Sequence, residues 1–181
     1  MKHFATAALM LNFGVACIYA EPGSVSMAVS GTAANSTVLL TGPPASEYNL
    51  AGGGIQDPFT LRVVNSSAPS TPPTTCSGPN NFYLASGAGA GVLRSQDGSL
   101  LTLNLTGGSD CIDFLANHAV CIRIFQITGG TGRFKNASGS VTLTMTVVPI
   151  LGPPNNPVFF SVTGDLTGIV SKVSGGQGPL D

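Results

Sequence analysis

The chain has 181 residues, long enough for one domain with a real core and too short for two without a clear linker. Seven Lys and Arg against eight Asp and Glu give a net charge of −1, which excludes an electrostatic footprint for nucleic acid or an anionic membrane surface. Only 8% of residues are charged, while Gly numbers 24 and Pro 13, so Ser, Thr, Asn and Gly carry the polar surface, as suits strands and turns rather than solvated helices.

The first twenty residues read as a secretory signal, with Lys2 and His3 ahead of an apolar run from Phe4 to Ala16 and Ile18-Tyr19-Ala20 as the cleavage site. The run is broken by Asn12 and falls short of the roughly 20 residues that span a bilayer, so no stable membrane insertion is expected after signal removal. The expected location is secreted or periplasmic. The alternative is a lipoprotein anchored at Cys17, because Gly14-Val15-Ala16-Cys17 has the shape of a lipobox with Gly14 where Leu is usual.

From Glu21 to residue 174 the chain reads as one all-β domain, barrel or sandwich, made of short runs with period two. The predicted strands are Ser24 to Ser30, Ser36 to Thr41, Phe59 to Val64, Asn81 to Ser86, Leu100 to Leu105, Val120 to Thr128, Val141 to Val147 and Val158 to Val173. In Val141 to Val147 the aliphatics share one face and three threonines the other, so one side is buried and the other faces water. Gly164 and Gly168 predict a bulge or sharp bend in the last strand. Gly42 to Asp57 and Pro69 to Asn80 read as surface loops, and Gly107 to His118 as a further insertion with a short helical turn from Asp113 to Val120. Residues 175–181 read as a flexible tail.

Beyond Cys17 there are three cysteines, and an exported chain is expected to pair them. The expected bridge is Cys111 to Cys121, which encloses Ile112 to Val120 and is worth about 3 kcal/mol by loop closure. Cys76 remains able to pair with either.

The segments Ala85-Ser86-Gly87-Ala88-Gly89-Ala90-Gly91-Val92-Leu93 and Asp97-Gly98-Ser99-Leu100 are followed by Ile127 through Gly139, with Gly129-Gly130-Thr131-Gly132-Arg133-Phe134 at its heart. This order resembles the allene oxide cyclase and dirigent barrel group, and more closely exported bacterial proteins of unknown function with the same turns. The likeness covers roughly Ala85 to Val170. It implies a single antiparallel β-barrel of about eight strands around an apolar interior. It also implies that Gly129, Gly130, Gly132, Phe134 and Gly139 form a structural turn that shapes the barrel. No catalytic residue carries over, because that turn is the only stretch matching residue for residue.

The same glycines, after a strand, have a rival reading as a dinucleotide-binding turn. Lys135 stands where that fingerprint needs a small residue, and Ser140 to Val148 alternates with period two where a helix should begin. His118 with Asp110 or Asp113 has neither the spacing of a metal set nor a Gly-x-Ser-x-Gly elbow to complete a hydrolytic relay. No metal and no cofactor is expected. Arg123 lies between Ile122 and Ile124 on the opposite face from them, pointing either to solvent or into a barrel mouth where it would grip an acidic ligand. The first reading is a secreted, non-catalytic barrel with a binding or structural role. The alternatives are a cavity protein that binds or isomerises a small apolar, lipid-like molecule, and a β-sandwich adhesion module.

Overall fold

Alternation of apolar and polar side chains from Gly23 onward produces eight strands in the computed structural model, which describes residues 23–36, 44–53, 58–151, 159–171 and 173. The signal at 1–20, Cys17 and the tail at 175–181 lie outside the described residues. The strands are β1 (Gly23–Ser36), β2 (Ala45–Gly53), β3 (Phe59–Pro69), β4 (Asn81–Ser95), β5 (Leu100–Asp113), β6 (His118–Gly130), β7 (Ser138–Leu151) and β8 (Phe159–Ser171). Each pairs antiparallel with the next, and β8 pairs with β1, so the sheet closes into a barrel with no free edge. Closure decides between the barrel and the sandwich in favour of the barrel.

Period two fixes what each strand sends inward. On β7, Val141, Leu143, Met145 and Val147 are buried while Thr144 and Thr146 are exposed. Val63, Phe125 and Leu143 have no exposed surface, and Leu61, Val162 and Leu166 have 1% each, so apolar side chains from β3, β6, β7 and β8 meet at the barrel axis.

Three expectations are corrected. Gly42 to Asp57 contains a strand, β2, that pairs on both sides, with Tyr48 and Leu50 buried and Glu47, Asn49 and Ala51 alternating with them. Two inward side chains are too few for the pattern to stand out from its Gly and Pro neighbours. The segment from Gly107 is no insertion, because β5 runs on to Asp113 and β6 starts at His118, leaving a turn at 114–117 in place of a helical turn. Asp113 Oδ1 accepts the N–H groups of Leu115 and Ala116 at 2.9 Å each, which supplies the turn's hydrogen bonds locally.

Of the bulge or sharp bend expected at Gly164 and Gly168, the bulge is absent, since β8 keeps register through both with β7 and with β1. Close approach is the reason for glycine here: a Cβ at Gly164 would lie 2.1 Å from the Thr144 carbonyl oxygen. Register shifts occur instead at Asn65/Ser67, Thr102/Leu103, Leu105/Gly107 and Pro149/Leu151.

Gly139, the second residue of β7, has a φ of 129°, and a Cβ there would sit 2.1 Å from the Ile169 carbonyl oxygen. The substitution Gly139→Ala is therefore expected to destabilise the barrel by about 1–3 kcal/mol. Urea unfolding would register this as a lower midpoint at unchanged slope; an unchanged midpoint would refute it.

Candidate functional site

The barrel interior is polar in one region and sealed by an aromatic plug in another. On β6 the inward residues are Cys121, Arg123, Phe125 and Ile127. Arg123 is completely buried, which corrects the solvent-facing option. Its five N–H groups are all engaged: Nε donates to Asn65 Oδ1 at 3.0 Å, and Nη1 to the carbonyls of Ser109 at 3.0 Å and Ile122 at 2.9 Å. Nη2 donates to Asp110 Oδ1 at 2.7 Å and to the Tyr48 hydroxyl at 3.1 Å, and the guanidinium lies 5.6 Å from the centre of the Tyr48 ring.

The partners are held as firmly. Asp110 Oδ2 accepts the Ser67 hydroxyl at 3.0 Å, and the Ser67 oxygen accepts the Asn65 amide at 3.2 Å. The irregularity of β3 at Asn65/Ser67 makes this possible, because it buries the consecutive residues Asn65 and Ser66 and breaks strict alternation. Asn65 is also the asparagine of an Asn-x-Ser sequon, and in the folded barrel its side chain is completely buried. Burial raises the pKa of the Cys121 thiol, and the Asp110 charge raises it further. Burial does the same to Tyr48, partly offset by Arg123. At neutral pH Cys121 is a thiol and Tyr48 a phenol, so neither is an activated nucleophile. The arrangement is an internal cross-brace of one cation, one anion and neutral donors and acceptors.

The glycine turn and the β4–β5 turn lie beside each other. Asp97 accepts the Ser99 N–H at 2.9 Å and the Ser99 hydroxyl at 3.0 Å, and Ser99 Oγ accepts the Arg133 N–H at 3.1 Å. The Arg133 side chain lies 3.7 Å from Asp97 Oδ2, hydrogen-bonds the Ser95 hydroxyl and stacks 5.0 Å from the centre of the Phe134 ring. The Ser99 backbone N–H, joined by its hydroxyl and by Arg133, holds the Asp97 carboxyl below the usual carboxylate range. Gly129 and Gly130 end β6, Gly132–Phe134 form a single 3-10 turn, and Phe134 is 6% exposed. β7 follows, where the dinucleotide reading needs a helix.

Among the side chains lining the space beside Phe134 are Met27, Phe59, Leu93, Leu103, Val141 and Leu166, and the cavity they leave is only about 30 Å³. That is room for one or two waters, against the ~300–1,000 Å³ of a typical ligand pocket.

The disulfide joins Cys76 to Cys111, with Cα atoms 5.8 Å apart, and Cys121 is free and buried. This corrects the expected Cys111–Cys121 bridge. In the β5–β6 ladder Cys111 is opposite exposed Val120, whereas Cys121 is opposite buried Asp110, so the two thiols project from opposite faces of the sheet. Cys111 instead meets Cys76, in the short turn Thr74–Cys76 of the β3–β4 connection. Asp113 and His118 pair at the hairpin end, apart from the role of Asp110 inside, so the three do not form one centre. Reading the sequence passed over Tyr48, Asn65 and Ser67. The signal for Asn65 was Asn65-Ser66-Ser67 interrupting an aliphatic strand.

Fold and interior together define, among the described residues, a closed, eight-stranded antiparallel β-barrel with a cluster of buried apolar side chains inside it. No protein-family model matches the chain, and no curated protein matches it. Among solved structures it is similar to the pterocarpan synthase dirigent protein GePTS1, at 9% identity and a TM-score of 0.38, over 91% of this chain and 99% of that one. The barrel assignment rests on this chain's own strand pairing.

Proposed function

We propose that this protein is an exported, non-catalytic binding domain that acts through its outer surface. The observation that carries this reading is the small space, about 30 Å³, among the described residues beside Phe134. An internal carrier or cavity enzyme for a lipid-like molecule needs roughly ten times that space. It also needs free polar groups, and each N–H of Arg123 is taken by the protein itself, so an acidic ligand would have to displace Asp110. The Cys76–Cys111 disulfide supports export to an oxidising compartment.

Native mass spectrometry of the protein recovered from the exported fraction of its host tests the reading. The expected spectrum shows the bare polypeptide under gentle conditions. A reproducible extra mass of a few hundred daltons, released only on unfolding, would overturn it in favour of an internal ligand.

A further inference from the structure

The hairpin that joins β5 to β6 ends in a turn at residues 114–117, and its first two side chains are the most exposed large apolar groups among the described residues, Phe114 at 67% and Leu115 at 81%. They have company. Of the ten large apolar side chains exposed among the described residues, Phe82, Phe114, Leu115, Ile150 and Phe159 belong to one rim of the barrel, at the start of β4, in this turn, at the end of β7 and at the start of β8. Phe114 leans on Phe82, with ring centres 6.4 Å apart. An apolar cluster of this kind on a surface marks a place of contact.

The backbone of the turn is prepared to leave water. The Phe114 N–H donates to the Asn80 carbonyl at 3.1 Å, and the Leu115 and Ala116 N–H groups donate to Asp113 Oδ1 at 2.9 Å each. Three successive donors at the tip are thus engaged by the protein itself, so an apolar medium would strand none of them. The same bonds hold the turn in one shape, and binding spends little entropy on ordering it. Charge is distributed to match. Asp113 and His118 are the ionisable residues flanking the turn, whereas Arg94 lies near the far end of β4, and Arg133 and Lys135 follow the far end of β6. No Lys or Arg among the described residues stands at the rim that carries Phe114 and Leu115, so that rim has nothing to offer an anionic surface.

We infer that this tip seats the protein on a bilayer of net-neutral phospholipid, with Phe114 and Leu115 among the acyl chains and Asp113 and His118 at headgroup level. The contact is peripheral and needs no spanning segment. Two adjacent side chains this exposed stand clear of the surface, so a rigid partner would need a hollow cut to their shape, whereas lipid tails close around any shape. The attraction comes from apolar area, without basic residues at the rim, and is therefore insensitive to salt. The inference names the partner of the outer-surface reading proposed above and rests on it.

The chain has no tryptophan, so Leu115→Trp places a single reporter at the tip. The test is a titration of the whole mature protein carrying this substitution with vesicles of dioleoylphosphatidylcholine. The expected result is a blue shift of the emission and quenching by acyl-brominated lipid, both unchanged when salt is raised. Flotation of the unsubstituted protein with the same vesicles should show binding that falls roughly tenfold or more in the double variant Phe114→Ser with Leu115→Ser. Leu115→Ser alone should lower the bound fraction at an unchanged melting temperature, since that side chain is 81% exposed. No blue shift, no quenching, or equal flotation of the double variant overturns the inference. Binding confined to vesicles that contain phosphatidylglycerol overturns it by assigning the contact to charge, and self-association of the lipid-free protein that Leu115→Ser abolishes overturns it by assigning the tip to a second copy. A native mass spectrum of the same sample separates the two levels. A bare barrel that ignores the vesicles overturns this inference alone, whereas a retained internal ligand overturns the reading beneath it.

Discussion

Arg123→Met is expected to destabilise the barrel by about 3–5 kcal/mol, the usual penalty for removing one partner of a buried ion pair. The guanidinium is completely buried and serves Asn65, Asp110, Tyr48 and two carbonyls at once. Methionine fills much of its volume but leaves the Asp110 carboxylate facing the interior, with only the Ser67 hydroxyl and the Cys121 thiol as side-chain donors among the described residues. Removing both charges should cost less than the sum of the single changes, because the double variant Arg123→Met with Asp110→Asn leaves no buried ion unpaired. Urea unfolding of the two single variants and the double measures this coupling. Additive effects, or a loss below about 1 kcal/mol for Arg123→Met, would show that the cluster does not brace the barrel.

The double substitution Cys76→Ser with Cys111→Ser is expected to cost roughly 4 kcal/mol, from the loop entropy returned to the unfolded chain by releasing a 35-residue separation. The bridge ties the β3–β4 connection to the outer face of β5, next to Asp110 in the brace. Peptide mapping of the oxidised protein should find Cys76 linked to Cys111, with Cys121 alkylated only after denaturation. Cys121 linked to either of the others would contradict the opposite-face argument, and a melting temperature unmoved by the double substitution would contradict the energetic one.

What could be read in advance depended on how much of each signal was local. Val141 to Val147 announces its two faces because every second residue is aliphatic, and β7 follows that pattern. The glycine run at 129–132 announces a turn, and the chain does turn there, at residues 131–137 between β6 and β7. β2 was illegible because a strand with two large inward side chains, flanked by Gly and Pro, looks like a loop until both neighbours pair with it. Nearness along the chain points to a Cys111–Cys121 bridge, whereas register decides which face a thiol occupies and brings Cys111 to Cys76. Arg123 stands out as a charge inside an apolar strand, but its side-chain partners come from β2, β3 and β5, positions between 13 and 75 residues away.

By itself the sequence determined the strand-forming alternation of β7, the low charge and the glycine turn before β7, because these are set by neighbours two or three residues apart. Only the tertiary structure decided that the sheet closes and that Arg123 is satisfied within. Those outcomes depend on register between strands distant in sequence, and shifting that register by one residue would exchange inside for outside.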